Sequence, residues 1–152
     1  MKKSILLTGI LALAMGITSL SAKEFDLKTN MLKLNNELNA IERGFISGDA
    51  NYINASLDIF AKDADDLLAH KKHMMKQLPA NMKNKNHKAT KGRDAARKIR
   101  HSVKTIREAL SHKDGLSGQK SRAKAQAAYL DIVNACFKCH NVVRDKKRLS
   151  VK

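Results

Sequence analysis

The sequence predicts an all-α fold, an antiparallel up-down-up-down four-helix bundle. Three observations predict it. Apolar residues recur at alternating spacings of three and four along four long segments, with no period-two alternation of the kind a strand shows. A single Pro and few aromatics leave little in the mature chain to interrupt a helix. The connections between segments are mostly short, which sets successive helices antiparallel.

Residues 1–22 stand apart from the fold. Lys2 and Lys3 precede an uncharged apolar run from Ile5 to Leu20, and Ser21 and Ala22 offer a cleavage point ahead of Lys23 and Glu24. That is the layout of a secretory signal peptide. The run is short for a membrane span, which takes about 20 apolar residues, and no later stretch is apolar enough. The expected domain is therefore 23–152, exported and without stable membrane insertion after cleavage.

The first helix is expected over about Glu24–Ser47, with Leu27, Met31, Leu34, Leu38, Ile41 and Phe45 on its stripe. Gly48 and Asp49 then supply a stop and a cap. The second is expected over about Ala50–Leu78, on Ile53, Leu57, Phe60, Ala64, Leu67, Met74 and Leu78, with Lys71 breaking the stripe. Pro79 ends it, because the residue before a proline avoids helical geometry. Residues 79–91, rich in Lys and Asn, read as the longest connection, with Met82 its one large apolar residue. The third helix is expected over about Gly92–Ser111, with Ala95, Ala96, Ile99, Val103, Ile106 and Leu110 inward and Arg93, Arg97, Lys98, Arg100, Lys104 and Arg107 outward. Asp114, Gly115 and Gly118 break the chain again, and Ser117 is a natural N-cap. The fourth is expected over about Gly118–Arg148, its stripe running through Ala125, Tyr129, Ile132, Cys136, Cys139 and Val143.

The chain carries a formal charge of +16. Loss of Lys2 and Lys3 with the signal leaves +14. In an exported protein nucleic acid is an unexpected partner, so the charge reads as a solvated basic surface that also quickens encounter with acidic proteins.

Chemistry concentrates at Cys136-Phe137-Lys138-Cys139-His140, a C-x-x-C-H sequence of the kind that attaches haem c. Cysteines three apart on a helix share a face, so each thiol can add to one porphyrin vinyl group. His140, one turn beyond Cys136, reaches the iron from the same side as a neutral imidazole. Three other readings fit less well. A redox dithiol wants a βαβ setting. A disulfide here closes almost no loop and adds little stability. A structural zinc site needs four ligands, and no second cysteine pair exists. One haem c held by two thioethers is the expected cofactor. Because this attachment follows export in bacteria, the expected compartment is the periplasm.

With Cys136, Cys139, His140 and Arg144 placed at the end of a last helix, the chain resembles the class II cytochromes c, the cytochrome c′ and cytochrome c-556 family. As an architecture the resemblance spans the mature chain. It departs from the family at Val143, where an aromatic is common, and at Lys28, where an arginine sits near the haem propionates. The resemblance implies a non-enzymatic electron carrier, and the basic surface makes redox proteins with acidic docking surfaces the expected partners. A homodimer through the first two helices is also compatible with it, and Ile46 and Ile59 lie off the stripe there. It places the distal side of the iron against the first helix. Counting back from Gly48 gives Leu32 as the family's position, whereas the inward register gives Met31. On register Met31 is the expected sixth ligand, because no Met or His follows His140. Met74, Met75 and Met82 are lesser candidates, and His70, His73, His87, His101 and His112 read as exposed. The alternative is an open iron that binds NO or CO, lined by Leu32, Leu34 and Leu38. A peroxidase-like enzyme would want a distal His and Arg pair that the sequence does not place.

Overall fold

The computed structural model describes residues 27–113 and 115–144. The expected signal peptide, the first turn of helix 1 at residues 24–26, Asp114 and the tail after Arg144 lie outside the described residues. Among the described residues the fold is all-helical and bundle-like. It has five helices and no strand: α1 (Leu27–Ser47), α2 (Ala50–Leu68), α3 (Lys71–Gln77), α4 (Lys85–Leu110) and α5 (Gly118–Val143). None of these helices is long and apolar enough to cross a membrane.

The α1–α2 corner forms as its residues dictate. Gly48 takes φ +71°, a left-handed conformation that costs a glycine little. Asp49 then caps α2, its Oδ1 accepting a hydrogen bond from the Tyr52 backbone N–H at 2.9 Å. Gly44 lies at the close approach of the two helices, where a Cβ would stand 3.1 Å from the Tyr52 ring and nearer still to Ile53.

Two boundaries differ from the periodic reading. The expected second helix breaks at His70, whose extended backbone (φ −92°, ψ 91°) starts the separate short helix α3. An unbroken helix would carry Lys71 onto the buried stripe, four residues after Leu67. With the break, Met74 and Leu78 are buried and Lys71 is half-buried at the start of α3. Leu78 is extended (ψ 139°) ahead of Pro79, as the proline requires. The expected 79–91 connection is also shorter than its composition suggested, because α4 begins at Lys85. Ala89 and Gly92 are its buried contacts, too small to stand out among Lys and Asn. A side chain at 92 would overlap the buried Met74 thioether, so glycine there lets α3 seat on α4. Met82 packs half-buried against the core.

Packing runs in a chain: α1 along α2, α2 along α4, α4 along α5, with α3 against α4 and α2. The core is aliphatic, with Ile41, Leu57, Leu67, Ile99, Ile106 and Ile132 fully buried and Phe60 the one fully buried aromatic among the described residues. Five of the six outward cations expected on the third helix meet carboxylates. Arg100 pairs with Asp65 at 3.2 Å, Lys98 with Asp131 at 2.8 Å and Lys104 with Glu108 at 3.7 Å, and Arg97 and Arg107 pair with Asp94 and Asp58. Each such surface pair contributes about 0–1 kcal/mol. Their main consequence is to offset the basic face where α2, α4 and α5 meet.

Between α1 and α2, Lys33 pairs with Asp63 and lies 3.7 Å from Glu37. Both Glu37 carboxyl oxygens are buried. Burial, reinforced by the Asp63 carboxylate, raises the Glu37 pKa to about 7. Burial would raise Asp63 too, but Lys33 and Glu37 outweigh it and hold Asp63 below the ordinary range. The unfolded chain loses the Glu37 proton near pH 4.5 and the folded chain near 7. Between those values the folded state binds more protons, so this group lowers stability as pH rises from about 4.5 to about 7. Glu37→Gln removes that slope. Urea unfolding at pH 4.5, 6 and 8 is expected to show the variant gaining on the wild type with each step upward.

Candidate functional site

Three of the four edges among the long helices are closed by packing, and the fourth, between α1 and α5, is closed at one end only. There the Phe45 and Tyr129 rings meet with centroids 5.5 Å apart, tilted by 52°. Toward the start of α1 and the end of α5 the same edge opens into a cavity of about 530 Å³, counting its open mouth.

Every long helix contributes to the lining. α1 supplies Met31, Leu34, Asn35 and Leu38, and α2 supplies Phe60 and Leu68. α4 supplies Ala95 and Ile99, and α5 supplies Cys136, Cys139 and His140. The surface is almost wholly apolar. Small residues make room on this wall: Ala95 and Cys139 line it and pack with Ala135 where α4 meets α5. Larger side chains at 95 or 139 would narrow the space.

Four of the expected site residues thus share one cavity: Met31, Cys136, Cys139 and His140. Leu34 and Leu38 line the same cavity. Leu32 does not; it is 61% exposed and points away from the lining, which corrects its placement there. Register explains the difference, since Met31 lies near the Leu34–Leu38 face and Leu32 is rotated by about 100° from it. Met74 is buried beside Gly92 rather than at the cavity, and Met75 and Met82 are also outside the lining. His70, His73, His87, His101 and His112 are all exposed, and Lys28 is exposed as well.

Arg144 stands just past the cavity. α5 ends at Val143 rather than near Arg148, and Arg144 is its extended C-cap (φ −76°, ψ 144°), donating its backbone N–H to the His140 carbonyl at 2.9 Å. Its side chain is exposed, yet its charge reaches His140. Burial first, and Arg144 second, lower the His140 pKa, so the imidazole is neutral at pH 7 with a lone pair free to coordinate.

Cys136 and Cys139 are free thiols, half-buried and buried. Burial raises the Cys136 pKa, and burial with the neighbouring Cys136 raises Cys139 to about 11. A catalytic or redox-exchanging cysteine needs the opposite shift, toward thiolate at neutral pH. Among the described residues no three His, Cys, Asp or Glu side chains gather in a geometry that could hold a bare metal ion. Two thiols and one imidazole stand on one wall facing apolar side chains, a donor set of the kind that holds a haem.

Asn35, Phe60, Leu68, Ala95 and Ile99 line the cavity without having been singled out in the sequence. Asn35 was legible in principle, one turn after Met31 on the same helix face. The other four look like ordinary stripe residues, and only the tertiary arrangement separates them from the rest of the core.

The fold and site together define an all-helical protein with a C-x-x-C-H wall on an apolar cavity. No family model, curated protein or solved structure matches the chain.

Proposed function

We propose that the protein is a periplasmic monohaem c-type cytochrome that carries electrons, built as an antiparallel up-down-up-down four-helix bundle like the class II cytochromes c. The observation that carries the proposal is the convergence of Cys136, Cys139, His140 and Met31 on one apolar cavity. When bound, haem supplies one-electron chemistry at its iron. The residues of the chain do the rest. The Cys136 and Cys139 thiols would hold the group by adding across its two vinyl groups, sulfur to one carbon and hydrogen to the other, with no net oxidation. His140 would offer a neutral imidazole to the iron, and Met31, on the same cavity, would offer its thioether. Leu34, Leu38, Phe60, Leu68 and Ile99 would exclude water, and the ligands with the low dielectric would set the potential.

The test is a pyridine haemochrome assay on the exported protein, with acid–acetone extraction. The expected result is one haem per chain that does not extract and shows the spectrum of two saturated vinyl positions. A colourless protein ends the proposal.

One observation favours a second reading, an open iron that binds NO or CO. Met31 is only half-buried, and the apolar Leu34 and Leu38 stand beside it. The visible spectrum of the oxidised protein separates the two. Met ligation gives a low-spin spectrum with a weak far-red charge-transfer band, and an open site gives a high-spin spectrum that shifts with NO.

A further inference from the structure

The outward face of α5 carries a second helix-packing pattern, opposite the buried one. Ala123, Ala127, Leu130, Asn134, Phe137 and Asn141 are all exposed and follow one another at spacings of 4, 3, 4, 3 and 4. That spacing is the seam of a helix that pairs with another helix. None of the six is charged, in a chain with 29% charged residues. Leu130 is 58% exposed and Phe137 60%. Isolated apolar residues on a surface are ordinary; here the two large ones, Leu130 and Phe137, stand one heptad apart on the same uncharged seam.

Charge decides what covers it. One border of the seam is formed by Lys124, Asp131 and Lys138 on α5, with Lys98 of α4 bonded to Asp131 at 2.8 Å. The net charge of that border is positive. A second copy is disfavoured, because antiparallel pairing through this seam sets Lys124 against Lys138 and Asp131 against Asp131, in chains of formal charge +16. A helix with apolar seam residues and Asp or Glu at its borders matches both features.

We propose that this face of α5 is the docking site for a partner protein that presents an amphipathic helix with an acidic border. The proposal rests on the cytochrome reading for what the partner does. Phe137 lies between Cys136 and Cys139, so a helix seated on it lies directly behind the segment that would hold the haem, a short route for an electron. The docking itself follows from the seam and its border.

The test uses two labelled synthetic peptides of about three heptads. Both carry leucine along the seam, one with glutamate borders and the other with lysine borders. Each is titrated into the exported protein by fluorescence anisotropy, with a haemochrome assay on the same sample. The Glu-bordered peptide is expected to bind at least about tenfold more tightly than its twin, and to weaken steeply between about 0.02 and 0.5 M salt. Leu130→Asn is expected to weaken it about tenfold. Ile59→Asn, at a comparably exposed site on α2 (55%), is expected to leave it unchanged. Equal binding of the two peptides overturns the proposal, as does equal loss in both variants. So does a concentration-dependent dimer that Leu130→Asn dissolves, which makes a second copy the occupant. Binding by a haem-free sample removes the electron-transfer reading and leaves the docking face standing. Haem present with no peptide binding does the reverse.

Discussion

Replacing Cys136 and Cys139 together by alanine is expected to remove covalent haem completely while leaving the helices in place. Each substitution deletes one sulfur from the cavity wall and adds nothing. Cys139 packs among Ala95 and Ala135, where alanine is already the local size. The folding cost is therefore small, roughly 1 kcal/mol or less per site on the scale of a deleted methyl-sized group. Far-ultraviolet circular dichroism is expected to be unchanged in the apo comparison, which separates failed attachment from failed folding. Either single variant keeps one thiol and is expected to yield a singly linked product whose haemochrome band moves toward that of one unsaturated vinyl. Covalent haem in the double variant would show that attachment goes through some other residue, and the assignment of these two cysteines would fall.

Helix content and site were legible in the sequence for different reasons. Four segments with three-four spacing predicted helices because side-chain burial on one face is a local, periodic property. The break at His70 was not predicted, since Lys71 registers in the sequence only as a flaw in the stripe. The molecule breaks the helix immediately before it, at His70. The early start of α4 was hidden by composition. Ala89 and Gly92 contribute to packing by being small, and periodicity counts only what is large and apolar. At the site, C-x-x-C-H is local and could be read directly. The cavity is not local: it exists because α1 and α5 meet at Phe45 and Tyr129 and part toward Met31 and His140. Nothing in either helix alone states that separation.

Charge shows the same division. The sequence gives a strongly basic chain, and a face of α4 crowded with cations. The fold sets α2 and α5 carboxylates against Arg100, Arg107 and Lys98, so that face is partly offset by its neighbours. The seam on α5 is uncharged by contrast, and it lies beside the proposed haem segment. Surface chemistry useful to a redox partner is then a matter of where charge is missing as well as where it is in excess.

On the proposed cytochrome reading, Met31→Leu is expected to open the distal side of the iron. Leucine has nearly the same volume, and such exchanges usually cost less than about 1.5 kcal/mol, so folding and thioether attachment should survive. What leucine lacks is the thioether lone pair. The oxidised variant is expected to lose the far-red charge-transfer band and become high-spin. Its reduction potential should fall, because a methionine ligand raises it. Under the proposed ligation by Met31, carbon monoxide has to displace its sulfur in the wild type. If the open form is about one per cent populated there, the variant binds CO about a hundredfold more tightly. Leu32→Met supplies the control: residue 32 is 61% exposed and outside the cavity, so placing a sulfur there should change neither spectrum nor CO affinity. A wild-type protein that is already high-spin, with a spectrum unmoved by Met31→Leu, would instead assign the distal face to gas binding. Met31 would then be an ordinary apolar wall beside Leu34 and Leu38.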